Sequence, residues 1–166
     1  MRKASVALVA TMFALLWMSV PAAATPASEA APLRGVIDMA YGLPCPVVTP
    51  VPVPDPAACW YGTVTGDING TVAFWETAAN YVVGTTEHFF EVFTILPVGG
   101  GSIYGVDAGV WNFSTFKFRS QGWVTDASSE WASLIGLKYF EMGRTSDPNL
   151  GLPVTGYDTE MFLAEA

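Results

Sequence analysis

Histidine, cysteine and basic side chains are scarce in this chain: one His, two Cys and seven Lys or Arg among 166 residues. Each shortage removes a class of function. Two cysteines and one distant histidine do not make a zinc set, so neither a metal nor any other cofactor is expected. Lys and Arg stand singly against fifteen Asp and Glu, which leaves no basic stripe for phosphates and argues against nucleic acid as a partner. No G-x-S-x-G motif occurs, so His88 has no nucleophile elbow to serve. On a strand, His88 and Glu91 point to opposite faces and do not form a two-ligand pair. Beyond the N-terminus no run approaches the ~18 apolar residues that a spanning helix requires.

The N-terminus itself contains a basic start (Arg2, Lys3), an apolar run over Ala4–Val20 and the small-residue triplet Ala22-Ala23-Ala24. That succession describes a secretory signal peptide over residues 1–24, cut after Ala24. The alternative is an uncleaved N-terminal anchor; no cysteine lies near the cut, which argues against a lipoprotein. The mature protein is expected to be secreted or periplasmic, without a membrane span. Its 142 residues (166 less 24) suit a single domain. Five Lys and Arg then face fifteen Asp and Glu, a formal charge of −10, and such acidity favours solubility. The oligomeric state is left open.

The two cysteines bracket CPVVTPVPVPDPAAC, in which Pro46, Pro50, Pro52, Pro54 and Pro56 recur. In an exported chain Cys45 and Cys59 are expected to pair. Closing a loop of about fourteen residues restricts the unfolded chain by ~3 kcal/mol. The prolines hold the segment near polyproline II and keep it out of a central strand. The expectation is a stiff, stapled surface loop over residues 45–59; the alternative is a proline-rich recognition ligand.

Residues 25–33 read as a flexible lead-in and 34–166 as one domain. From Trp60 onward the pattern is β: short alternating runs, frequent glycine and threonine, many aromatics. Val64, Ile68, Val72 and Phe74 share one parity, while Thr63, Thr65, Asp67, Asn69 and Thr71 share the other. Only residues 127–136 suit a helix, of one or two turns, with Ser128 or Ser129 as its cap and Gly136 as its stop. Glycines within the strand patterns mark the bends that a closed barrel needs, and closure removes exposed edges. An all-β antiparallel barrel is therefore expected, with a two-sheet β-sandwich as the alternative.

A resemblance adds detail. GGSIYGVDAG is followed by Phe118, Gly122, Val124, Thr125, Ala127 and Ser128 in the order F-x-x-x-G-x-V-T-x-A-S, then by WASLIG (131–136) and Gly143. This order resembles the C-terminal half of the allene-oxide-cyclase-like barrels, a calycin-like group related more distantly to plant dirigent proteins. The likeness covers about residues 60–163. It implies an up-and-down barrel of about eight strands, filled by side chains or holding one small ligand. No catalytic residue of that group maps onto this chain, and its GVW (109–111) lies too far along to match the lipocalin G-x-W.

Parity nominates the ligand site. Glu76 shares the face of Val72 and Phe74 at the end of a strand. Phe116 and Phe118 are expected inward, Lys117 and Arg119 outward, with Asn112 and Ser114 joining the inner set. Glu76, Asn112 and Ser114 would then be polar anchors among apolar walls, against a reading in which all three bond to water or backbone. Tyr139 and Glu141 share a face, but flanking parity does not decide which. Trp75 falls on the polar parity and is the best candidate for an exposed stacking platform, the alternative being core. Asn69-Gly70-Thr71 and Asn112-Phe113-Ser114 match glycosylation acceptors. The expected function is binding of a small apolar molecule in the lumen or mouth, with no established catalysis. The alternatives are a cell-surface structural or interaction protein and a cyclase- or isomerase-like enzyme.

Overall fold

The computed structural model describes residues 32–48, 52–53, 55–145 and 157–164. The expected signal peptide and nearly all of the lead-in lie outside these residues. The described chain forms β1 (Leu33–Gly42), β2 (Cys59–Gly66), β3 (Gly70–Glu76), β4 (Tyr81–Val83), β5 (Thr86–Pro97), β6 (Ile103–Asn112) and β7 (Lys117–Ala127). A short 3-10 helix (Ser129–Leu134), β8 (Lys138–Thr145) and β9 (Tyr157–Ala164) follow.

The strands run antiparallel and close into a ring: β1 pairs with β9, and β3 pairs with β5. β4 lies outside the ring, paired to the start of β5. The result is an up-and-down barrel of eight strands plus one edge strand, not a sandwich. The 3-10 helix begins after Ser128 and ends before Gly136, whose φ of +88° is one that glycine tolerates best. This matches the helix expected from the sequence. β1 is the element the composition-based reading did not single out, although Ile37 and Met39 alternate with Val36 and Asp38 along it and are buried.

Interior side chains stack in rows across the strands. Nearest one end lies the row Glu87, Trp111, Phe118 and Gly143. The next is Phe89, Gly109, Ser120, Glu141 and Met161, then Glu91, Asp107, Gly122 and Tyr139. Beyond them Phe93, Gly105 and Val124 lead into a wholly apolar end with Ile95 and Ile103. Gly105 and Gly109 directly face Phe93 and Phe89, and a side chain at either glycine would collide with the ring opposite. The aromatic rings fill that space, as edge-to-glycine pairs in barrels do.

A second apolar cluster sits on the outside of the wall. Trp75 points outward from β3, as parity implies, but it is only 1% exposed. Cys59, Ala73, Tyr61 and Val92 surround it, and Cys45, Val47 and Val53 of the proline-rich loop cover it. Trp75 is therefore no stacking platform, which corrects the sequence-based candidate: outward parity holds, but a loop distant from β3 roofs that face. Cys45 and Cys59 are joined in a disulfide, consistent with an oxidising, exported environment.

Candidate functional site

At the end of the barrel where β3 and β6 stop and β5 and β7 begin, a cavity of about 30 Å³ opens to solvent. Trp60, Phe74, Phe89, Trp111 and Phe118 form its walls, with Met39. Hydrogen bonds fix the two indoles at the rim. Trp60 Nε1 donates to Glu76 Oε1 over 3.0 Å, and Trp111 Nε1 donates to Thr145 Oγ1 over 3.1 Å. Tyr41 meets Trp60 edge-on, and Phe113 meets Trp111 in the same way. Asn80 Nδ2 holds the other oxygen of Glu76 at 2.9 Å. Glu87, half-buried beside Glu76, has its carboxyl pushed up by burial and then by repulsion from Glu76.

Below the rim lies a buried acidic group. Glu91, Asp107 and Glu141 converge from β5, β6 and β8 with Ser120 of β7. Asp107 is 6% exposed and, among the described residues, neither of its carboxylate oxygens has a hydrogen-bond partner. Ser120 faces it without reaching hydrogen-bond geometry, and offsets only part of the effect of burial. Tyr139, packed against Phe93 with centroids 4.4 Å apart, donates its hydroxyl to Glu141 Oε2 at 2.6 Å. Glu141 lines the cavity, and its Oε1 is buried with no hydrogen-bond partner among the described residues.

Desolvation dominates the titration of these groups. Burial lifts Asp107 to about 7. Burial, followed by the charge of Asp107, lifts Glu141 to about 8 against the opposing hydrogen bond from Tyr139. Glu91 is raised well above the usual range by burial, then by Asp107 and Glu141. Tyr139 moves up for the same reasons. At neutral pH the group therefore holds protons, and its neutral carboxyls act as donors as well as acceptors.

Of the residues nominated from the sequence, the structure brings two together here: Glu76 and Phe118 both line the cavity. Asn112 and Ser114 are not inward, which corrects the parity count. Asn112 lies on the outer wall beside Lys117, Arg119 and Met142, and its Oδ1 accepts from the Ser114 and Thr115 backbone N–H groups. Ser114 is exposed in that turn. Phe116 sits in the same turn at φ +57° and does not reach the lumen cavity. The left-handed residue and the four-residue turn reset the phase between β6 and β7, so parity does not carry across them. His88 is half-buried and stacks on Tyr81 at 4.6 Å. Among the described residues no group of three or more His, Cys, Asp or Glu is placed to hold a metal ion.

Glu87, Glu91, Asp107, Trp60, Trp111 and the inward Tyr139–Glu141 pair escaped the sequence-based nomination. The signal for Glu91 was an acid at the parity of Phe89 and Phe93; for Asp107 it was an acid between Gly105 and Gly109.

The class this architecture defines is the closed, eight-stranded antiparallel barrel, consistent with the calycin-like barrels. No family model, no curated protein and no solved structure matches the chain. Among the described residues no helix is long and apolar enough to cross a membrane.

Proposed function

We propose that the protein is exported through a cleaved signal peptide and binds a small, mostly apolar molecule at the mouth of an allene-oxide-cyclase-like or dirigent-like barrel. The observation that carries this reading is the aromatic wall of Trp60, Phe74, Phe89, Trp111 and Phe118 around an open cavity ending in carboxyl groups. Apolar walls with a few convergent polar groups are the usual make-up of a small-molecule site. At about 30 Å³ the open cavity itself is water-sized. The ligand's bulk therefore belongs among the rim aromatics, with only a small polar end reaching inward.

Titrating the mature protein with Nile red, a neutral apolar dye, tests the reading. Saturable uptake that falls at least fivefold in Trp111→Ala and Phe118→Ala is expected. Unsaturable uptake, or uptake indifferent to both substitutions, would overturn it.

A second reading, cyclase- or isomerase-like catalysis, draws on Glu141. A carboxyl held near 8 beside a cavity is suited to proton transfer at neutral pH. Loss of turnover in Glu141→Gln with dye binding intact would favour it. An interaction protein built on the proline-rich loop has less support, because Val47 and Val53 of that loop face Trp75 rather than solvent.

A further inference from the structure

Four carboxyl groups, those of Glu76, Glu87, Glu91 and Glu141, line the mouth cavity, and among the described residues no Lys, Arg or His borders it. Such a grouping is costly. Glu91 lies directly across from Glu76 on one side and from Asp107 on the other, and like charges facing across strands repel. Low dielectric strengthens that repulsion. Internal partners satisfy part of the group: Trp60 and Asn80 donate to Glu76, and Tyr139 donates to Glu141.

Oε1 of Glu141 is different. The residue is 3% exposed, and among the described residues this oxygen has no partner although the side chain borders the cavity. An orphaned buried acceptor carries its desolvation cost until a donor arrives, and a charged donor gains most there. Ring faces at the rim add attraction for a cation. A metal ion does not answer the description, since no chelating group of three exists among the described residues. A cavity of about 30 Å³ admits an –NH₃⁺ group but not a trimethylammonium head.

We infer that the mouth is a receptor for a primary ammonium group, which directs its N–H donors at Glu141 Oε1 and Glu91 while the ligand's apolar body lies between Trp60 and Trp111. The inference rests on the small-molecule reading above and names its ligand class. Three positive N–H donors match an array that has acceptors and no cation of its own. Binding draws the carboxyls toward their ionised form, so protons leave as the amine enters.

The probe is 2-phenylethylamine, compared with 2-phenylethanol and trimethyl(2-phenylethyl)ammonium, titrated into the full exported chain by calorimetry. The amine is expected to bind at least tenfold more tightly than either comparison compound. Glu141→Gln and Glu87→Gln should each weaken the amine at least fivefold and leave the alcohol unchanged. Glu87 stands at the half-buried rim, so its variant carries the test if the buried one fails to fold. Equal binding of alcohol and amine, or tighter binding of the quaternary ion, overturns the primary-ammonium assignment. So does the absence of amine binding in a protein that still takes up Nile red; loss of dye uptake as well sinks the small-molecule site with it. An amine preference that survives in both variants overturns the placement.

Discussion

The hydroxyl of Tyr139 donates to Oε2 of Glu141 across 2.6 Å, from two residues earlier on the same inner face of β8. The pairing leaves the other oxygen of Glu141, a residue that lines the cavity, buried without a partner among the described residues. It also opposes the upward pull of burial on that carboxyl. Tyr139→Phe removes the donor while keeping the ring against Phe74 and Phe93. The Glu141 titration, followed by carboxyl carbon NMR, should then move above about 8. Stability should drop by about 1–3 kcal/mol, the usual penalty for orphaning a buried acceptor. A titration that stays put would remove Tyr139 from the control of this carboxyl.

Asp107 and Glu141 titrate in the folded protein at about 7 and about 8, against ordinary values of 3.8 and 4.5. Between about pH 4 and pH 8 the native state therefore binds more protons than the unfolded chain, and stability falls as pH rises. The contribution is fully present below the ordinary values and gone above the raised ones. A melting temperature lower at pH 8 than at pH 5 by on the order of 10 °C is expected. Glu141→Gln should flatten that slope; a melting temperature that rises over the window would contradict the buried acids.

Gly122 packs so closely that an added methyl would run into the Val106 carbonyl and the Asp107 backbone. Gly99, in the β5–β6 turn, has nothing within 4 Å of the same position. Gly122→Ala should cost about 1–3 kcal/mol or more by urea denaturation, and Gly99→Ala should stay within about 0.5 kcal/mol. Equal effects would mean that the approach of β6 to β7 is not as tight as described.

Replacing both cysteines, Cys45→Ser with Cys59→Ser, should cost about 3 kcal/mol from the freed loop. It should also loosen the cover over Trp75. Acrylamide should quench tryptophan emission more strongly in the variant, and a Trp75→Phe background should abolish the difference. Unchanged quenching would show that the loop stays down without its staple.

Periodicity exposed most of the barrel because each strand buries one face: Val64, Val72 and Phe74 against Thr63, Thr65 and Thr71 is a pattern of two that only an extended chain produces. Glu76 and Phe118 were legible for the same reason, being strand residues in phase with the core. Asn112 and Ser114 were not, since counting through the turn at Phe116 assumes an extended backbone that its φ of +57° breaks. Parity placed Trp75 outside correctly but could not show that a loop from before β2 lies over it. The acidic group was hidden by its neighbours. Asp107 is the one charged residue of β6 and Glu91 one of two acids on β5, and only the pairing of β5 with β6 sets them face to face.

The stapled strap over Trp75 gives the barrel a second, smaller interior on the outside of its wall. With the bridge closed, the indole is sealed beneath Val47 and Val53. With the bridge opened, no covalent link holds that cover in place. The disulfide thus ties the burial of Trp75 to an oxidising setting.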